Sequence, residues 1–136
     1  MIDSNTIMTV ASAPNYPHGI IDPIDKIAKI AKKHNIGCHV DGCLGGFVGT
    51  FHPKYKDLYS LDRDGVTSVS IDHHKFALAP KGISNIFYKT KELRHCQYFQ
   101  VVDWTGGLYA TPSFPGSRSG FASAGAWYSM TQLTKK

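Results

Sequence analysis

A strand–helix–strand pattern near the start of the chain constrains its fold more than any other sequence feature. Residues 6–13 form an apolar, β-branched run that is followed by Pro14, and residues 36–40 form a second run. Between the runs, apolar side chains recur at the spacing of one helix face, at Ile24, Ile27, Ala28 and Ala31. Such a unit holds its two strands parallel, with a right-handed crossover. The sequence therefore predicts an α/β fold in one domain.

The predicted helix carries recognisable signals at both ends. Asp22 is predicted to be its N-cap. Pro23 suits the first helical position, because proline lacks the N–H that remains unpaired there. Gly37 is predicted to end the helix, since glycine tolerates the left-handed conformation common at such ends.

Charged residues follow the predicted strands. Asp41 comes directly after the second strand, and the segment 72–75 (Asp-His-His-Lys) follows a further strand at residues 66–71. Residues 83–88 are predicted to form another strand. In such sheets, functional groups collect just past the carboxyl ends of the strands. Asp41 and Lys75 are therefore candidate functional residues, although a charged pair at strand ends is more often structural.

The stretch from Asp103 onward is rich in glycine, proline and serine. Its composition is too varied for a linker, so we predict a loop that crosses a site or an interface. Residues 121–130, which follow it, are apolar again.

Composition and charge argue against several other functional classes. The net charge is +5, but the lysines are scattered, which favours solvated surfaces over a nucleic-acid site. The sequence has no run of about 18 apolar residues, so no membrane span is predicted, and the features of residues 1–5 do not predict a signal peptide. The three cysteines favour a reducing, cytoplasmic location over a disulfide framework. No metal site is predicted, because Cys38 and His39 would point to opposite faces of a strand.

An aspartate and a lysine at strand ends suit one kind of cofactor chemistry. Enzymes that use pyridoxal 5'-phosphate need a lysine to hold the cofactor covalently and a carboxylate to keep its ring nitrogen protonated. A charge-assisted hydrogen bond of that kind contributes about 1.5–3 kcal/mol. The lysine must lose a proton before it reacts, which burial beside other cations would favour. Spacing alone does not decide between this role and a structural one.

Several collinear motifs resemble those of the sphingosine-1-phosphate lyases, which belong to the pyridoxal-phosphate decarboxylases of fold-type I. The segment 39–47 (HVDGCLGGF) is similar to their cofactor-facing motif, and 65–75 (GVTSVSIDHHK) with 79–82 (APKG) is similar to their lysine motif. Further matches are 16–19 (YPHG), 21–23 (IDP), 103–110 (DWTGGLYA), Pro112 and 116–118 (GSR). The resemblance covers nearly the whole chain. It implies part of the large cofactor-binding domain, with a mostly parallel sheet flanked by helices.

The resemblance implies a binding site for pyridoxal 5'-phosphate. Asp41 would pair with the pyridinium nitrogen, and Lys75 would hold the cofactor covalently. His74 would lie near the cofactor and its phosphate. Cys43 would lie beside the ring, although a buried cysteine is also a common core residue.

The resemblance also implies two residues that act on the substrate. Tyr16 would project from its loop as an acid or base. Lys81 would bind an anionic phosphate or assist proton transfer. Ser117 and Arg118 match a family loop near the dimer interface, with no role assigned.

The sequence departs from the family pattern beside the lysine. His73 stands where the family commonly has threonine, and residues 76–78 (FAL) stand where it commonly has Tyr-Gly-Tyr. Two tyrosine hydroxyls are thereby removed. The departure affects the hydrogen bonds available near the site rather than the cofactor chemistry.

The implied activity is cleavage of a carbon–carbon bond in a phosphorylated long-chain base, which yields a long-chain aldehyde and ethanolamine phosphate. The complete enzyme would be a homodimer that binds this phosphorylated sphingoid substrate. Two alternatives stay open. One is a pyridoxal-phosphate-dependent amino-acid decarboxylase that uses the same Asp41 and Lys75, and the other is an inactive truncated fragment.

Residues 1–136 are expected to form the central portion of the large domain, without its N-terminal part and without the C-terminal small domain. No membrane anchor is expected in this chain. A eukaryotic parent protein with an upstream anchor would lie at the cytosolic face of the endoplasmic reticulum.

Overall fold

The computed structural model describes residues 1–133, and its centre is a four-stranded sheet with strand order β1-β2-β3-β4. The elements follow in chain order: β1 (Met8–Ser12), α1 (Ile24–Lys33), β2 (Gly37–Asp41), α2 (Gly46–Gly49), β3 (Ser68–Asp72), β4 (Ser84–Tyr88), α3 (Lys91–His95), β5 (Phe99–Val101), β6 (Tyr109–Thr111) and α4 (Gly120–Leu133). A 3₁₀ turn at Lys56–Tyr59 lies between α2 and β3.

The sheet is mostly parallel. β1, β2 and β3 pair in parallel, and β4 pairs antiparallel with β3. α1 connects β1 to β2 and packs against both strands. The prediction of an α/β fold is confirmed, and the four predicted strands lie within two residues of their expected limits.

The core lies between α1 and the sheet. The side chains of Ile24, Ala28 and Ala31 are buried on one face of α1. They pack with Cys38 and Val40, the two buried side chains of β2. The helical spacing of the apolar residues therefore marked the buried face correctly.

The three predicted helix signals are wrong, and the first is displaced by one residue, because Pro23 is the N-cap of α1 rather than its first helical residue. Asp22 does not cap α1; its carboxylate accepts a hydrogen bond from the Ser12 backbone N–H at 2.8 Å and secures the end of β1. Gly37 does not end the helix but begins β2, where an added Cβ would lie 3.2 Å from the Met8 Cβ. The left-handed residue after the helix is Asn35, with φ of 52°. Asparagine tolerates this conformation because its short polar side chain can hydrogen-bond locally.

The glycine-rich stretch is not a loop throughout, which corrects the prediction. Its residues Tyr109–Thr111 form β6, which pairs antiparallel with β5 at Phe99–Val101. The apolar stretch after it forms α4, where the Ser129 hydroxyl donates to the Ala77 carbonyl at 2.7 Å. α4 therefore packs on the segment that follows Lys75.

Residues 1–133 contain neither a membrane-spanning helix nor a metal-binding cluster. None of the helices there combines the length and the apolar character needed to cross a bilayer. Over the same residues, no group of three or more His, Cys, Asp or Glu side chains is arranged to hold a metal ion.

Candidate active site

The candidate site lies at the carboxyl ends of β2 and β3. β2 ends at Asp41, and β3 ends at Asp72, just before Lys75. The two strands are adjacent and parallel, and Asp41 is in register with Ser70. Their carboxyl ends therefore meet at one edge of the sheet.

Cys43, in the turn after β2, contacts groups from both strand ends. Lys75 Nζ lies 2.9 Å from Cys43 Sγ. The Cys43 backbone N–H donates to Asp41 Oδ1 at 3.0 Å. Asp41, Cys43 and Lys75 thus form one cluster, although Lys75 is distant from the other two in sequence.

Asp72 contacts Lys75 of the cluster and its neighbour His74. Its Oδ2 lies 3.0 Å from Lys75 Nζ and 3.5 Å from His74 Nε2. His74 Nδ1 lies 2.6 Å from the Ile83 carbonyl oxygen, so this nitrogen carries a hydrogen and donates it. Sequence reasoning did not assign Asp72 a role. The available signal was a carboxylate at a strand end, three residues before the lysine.

These contacts set the protonation of the lysine. Burial lowers the pKa of Lys75, but hydrogen bonds with Cys43 and Asp72 and the charge of Asp72 outweigh burial, so the pKa lies above its ordinary value. Burial raises the pKa of the Cys43 thiol, against the opposing hydrogen bond with Lys75. The close partners of Lys75 are a carboxylate and a thiol rather than the cations that would favour loss of its proton. The amine of the cofactor-free protein is therefore a cation at neutral pH.

Asp41 is held as an ionised acceptor. Burial raises the pKa of Asp41, but hydrogen bonds from Cys43 and Ser70, together with nearby His39, outweigh burial and lower it. The Ser70 hydroxyl donates to Asp41 Oδ1 at 3.3 Å, on the same oxygen that accepts the Cys43 N–H. Two donors therefore fix one oxygen of the carboxylate.

His39 and the serines of β3 are site residues that sequence reasoning missed. His39 Nε2 lies 3.0 Å from Ser70 Oγ, and Nδ1 lies 2.8 Å from Ser68 Oγ. Burial lowers the pKa of His39 more than the nearby Asp41 carboxylate raises it, so the ring is neutral at neutral pH. From the sequence, His39 was weighed as a metal ligand and matched the first position of the 39–47 motif, but it received no role of its own. Serines two residues apart on β3, which share one face of the sheet, were the signal that pointed to this network.

Tyr16 and Lys81 are exposed and share no described contact with the cluster. Tyr16 is exposed on the turn after β1, and Lys81 is exposed on the turn before β4. In the described part of the chain, neither residue makes a hydrogen bond or an ion pair with Asp41, Cys43 or Lys75. The structure therefore brings together Asp41, Cys43, His74 and Lys75, but not these two residues.

Ser117 and Arg118 lie elsewhere. With Tyr109 and Thr111 they line an open cavity of about 440 Å³ beside β6. Gly116, which precedes them, has φ of 69°, a conformation that favours glycine.

The chemistry of the cluster fits the cofactor that the motifs imply. A protonated pyridine nitrogen needs an anionic acceptor, and Asp41 is an ionised carboxylate with Oδ1 already fixed by two donors. Covalent attachment needs a primary amine, and Lys75 offers one within the same cluster. These residues can therefore hold pyridoxal 5'-phosphate.

Comparison with known proteins agrees with this chemistry. Residues 4–105 match the model of the pyridoxal-dependent decarboxylase conserved domain. The sphingosine-1-phosphate lyase of Dictyostelium discoideum is 47% identical, over 97% of this chain and 26% of its own length. That of Oryza sativa subsp. japonica is 50% identical, over 97% of this chain and 25% of its own length. The chain thus spans about a quarter of the length of these curated relatives.

Solved structures extend the agreement to the fold. The sphingosine-1-phosphate lyase of Burkholderia pseudomallei superposes with a TM-score of 0.86 and 42% identity, over 96% of this chain and 31% of that one. A Lactobacillus brevis glutamate decarboxylase shares the fold, with a TM-score of 0.70 and 21% identity over 90% of this chain and 29% of that one. The resemblance to sphingosine-1-phosphate lyases is confirmed. Because the family model matches most of the chain, including both strand ends that form the cluster, this chain belongs to the pyridoxal-dependent decarboxylase family and has the fold of the fold-type I enzymes.

Proposed function

We propose that the complete protein carrying this chain is a pyridoxal-phosphate-dependent lyase, which cleaves a phosphorylated sphingoid base into a long-chain aldehyde and ethanolamine phosphate. The observation that carries the proposal is the cluster in which Asp41 and Lys75 both contact Cys43. The substrate class is supported by the similarity to sphingosine-1-phosphate lyases at 47% and 50% identity. The decarboxylase likeness at 21% identity supports the fold alone.

Lys75 is proposed to hold the cofactor through Nζ, and Asp41 to keep its ring nitrogen protonated. When bound, pyridoxal phosphate supplies an electron-accepting ring for the electron pair released as the carbon–carbon bond breaks. Asp41 stays ionised, and its negative charge favours the protonated ring nitrogen. His74, oriented by Ile83 and Asp72, is proposed to lie beside the cofactor phosphate.

The reaction also moves protons on the substrate. The hydroxyl proton must leave as the bond breaks, and the carbon that retains the amino group must gain a proton. Tyr16 is proposed to act as an acid or base through its exposed hydroxyl. Lys81 is proposed to bind the substrate phosphate or to assist proton transfer through its ammonium group. Its side chain is exposed on the turn before β4, six residues after Lys75.

The proposal includes a homodimer in the cytoplasm. The aromatic side chains of Phe121, Trp127 and Tyr128 on α4 are largely exposed, which supports their burial in a larger assembly. Cys38, Cys43 and Cys96 are free thiols, which fits a reducing compartment. Sedimentation of the complete protein and fractionation of cells test these two points.

Borohydride reduction tests the assignment of the lysine. With pyridoxal phosphate bound to the complete protein, reduction and peptide mapping should place the cofactor on Lys75. Lys81→Arg should keep the label, and Lys75→Arg should lose it. A label on Lys81 in the parental protein would refute the assignment.

The substrate is tested separately. The complete protein should release long-chain aldehyde from the phosphorylated base. Release of carbon dioxide from an amino acid, without aldehyde release, would favour the decarboxylase alternative. A protein that binds the cofactor but catalyses neither reaction would contradict the proposal.

A further inference from the structure

A chain of hydrogen bonds links β3 to β2 and ends on Asp41. Ser68 Oγ lies 2.8 Å from His39 Nδ1, and His39 Nε2 lies 3.0 Å from Ser70 Oγ. Ser70 Oγ lies 3.3 Å from Asp41 Oδ1. His39 pairs in register with Ser68, and Asp41 pairs with Ser70, so the network follows the strand pairing directly.

The ionised carboxylate sets the direction of every hydrogen bond in this network. Asp41 can only accept, so Ser70 must donate to it. A hydroxyl carries one hydrogen, which Ser70 donates to Asp41. Ser70 Oγ must therefore be the acceptor in its other contact, and His39 Nε2–H donates to it. A neutral imidazole that donates from Nε2 accepts at Nδ1, so Ser68 donates there. One tautomer of His39 therefore satisfies the whole network.

We propose that His39 is a positioning residue for the cofactor ring and that it acts on Asp41 through Ser70. The Ser70 hydroxyl and the Cys43 N–H both end on Oδ1, so the carboxylate cannot rotate without breaking two hydrogen bonds. With Oδ1 held in this way, Oδ2 would be the oxygen that faces the ring nitrogen. The inference rests on the proposed role of Asp41, and it adds the residues that orient this carboxylate.

The test measures cofactor binding and the state of the ring nitrogen in the complete protein. Ser70→Ala and His39→Leu should each weaken pyridoxal phosphate binding by about tenfold, the effect of one lost hydrogen bond. Both should move the ¹⁵N resonance of labelled cofactor towards that of an unprotonated pyridine. His39→Gln retains an N–H donor near the Nε2 position and should restore most of the parental behaviour. Ser70→Thr retains the hydroxyl and should do the same.

A double variant distinguishes an effect of His39 that passes through Ser70 from independent effects of the two residues. If His39 acts through Ser70, Ser70→Ala combined with His39→Leu should lose no more affinity than Ser70→Ala alone. Additive losses would overturn the proposal, and so would a His39→Gln variant that is no better than His39→Leu. Ser84→Ala is the matched control, because it removes an exposed serine from the neighbouring strand β4.

The outcomes also distinguish this inference from the proposed function. A parental protein that binds no cofactor at Lys75 would refute both. If the parental protein binds the cofactor normally and Ser70→Ala and His39→Leu are indistinguishable from it, only the positioning role of His39 is refuted. Thermal melts identify a misfolded Ser70→Ala, in which case the two His39 variants decide the result.

Discussion

Asp41 is more tightly held than an isolated carboxylate at a strand end, because the Cys43 N–H and the Ser70 hydroxyl share one of its oxygens. Asp41→Asn keeps the shape of the side chain but removes the charge that favours a protonated ring nitrogen. We expect turnover of the complete protein to fall about a hundredfold, or about 2.7 kcal/mol on the barrier, with a smaller loss of bound cofactor. Parallel measurements of kcat and cofactor absorbance check this. Turnover at the parental rate would show that the assigned role is wrong.

Asp72 influences the pH at which Lys75 becomes a neutral amine. Burial lowers the pKa of Lys75, whereas hydrogen bonds with Cys43 and Asp72 and the charge of Asp72 raise it. Because only the neutral amine is a nucleophile, covalent uptake of the cofactor by the cofactor-free protein should increase as pH rises through this pKa. Asp72→Asn removes the charge, so we expect the pH profile of uptake to shift to lower pH.

The uptake profile is followed by absorbance after mixing with the cofactor. Asp64→Asn is the control, because it also removes one carboxylate, but one that pairs with Lys32 rather than with Lys75. We expect the control profile to overlay that of the parental protein. An unshifted profile for Asp72→Asn would contradict the assigned influence of Asp72.

At the scale of elements, α4 packs against the segment that follows Lys75, which contains Ala77 and Pro80. A Cβ on Gly125 would lie 2.5 Å from Cδ and Cγ of Pro80, whose ring cannot move aside as a flexible side chain can. Gly125→Ala should therefore displace α4 and lower the free energy of unfolding by about 1–3 kcal/mol. Denaturant unfolding of the complete protein measures the change.

Gly120→Ala is the matched control for this prediction. Gly120 is the first residue of α4, and an added Cβ there would meet no atom within 4 Å. Its replacement should be neutral or slightly stabilising, because alanine restricts the unfolded chain more than glycine does. Equal stabilities of the Gly125 and Gly120 variants would show that the packing of α4 on Pro80 contributes little.

For the molecule as a whole, the exposed apolar surface favours self-association in solution. Val10 on the outer strand β1 and Ile7 just before it are exposed, as are Trp127 and Tyr128 on α4. Exposed edges and apolar patches promote association. We therefore expect residues 1–136 expressed alone to self-associate, which sedimentation velocity measures. A stable monomer across the micromolar range would contradict this.

We also expect residues 1–136 alone to have no lyase activity. They contain Asp41 and Lys75, but a cofactor phosphate normally needs several backbone N–H groups, such as those at a helix N-terminus. Release of long-chain aldehyde from the phosphorylated base, assayed with added cofactor, tests this. Turnover within about tenfold of a complete lyase would show that these residues suffice.

Local sequence patterns were enough to predict the strand–helix–strand unit, the placement of Asp41 and Lys75 at strand ends, and the family. These features depend on local periodicity and on short motifs, which can be read without knowing which strands meet. The helical structure of α4 could not be predicted in this way, because its apolar residues do not lie on one face. Phe121 and Trp127 among them are exposed.

The contacts between side chains from different elements were known only from the three-dimensional structure. Asp22 binds the end of β1 rather than capping α1, Cys43 contacts Lys75, and Ser70 connects His39 to Asp41. These contacts depend on the register between neighbouring strands, and a shift of one residue would turn Ser70 to the opposite face of the sheet. Register is set by packing across the whole sheet, so a local pattern cannot specify it.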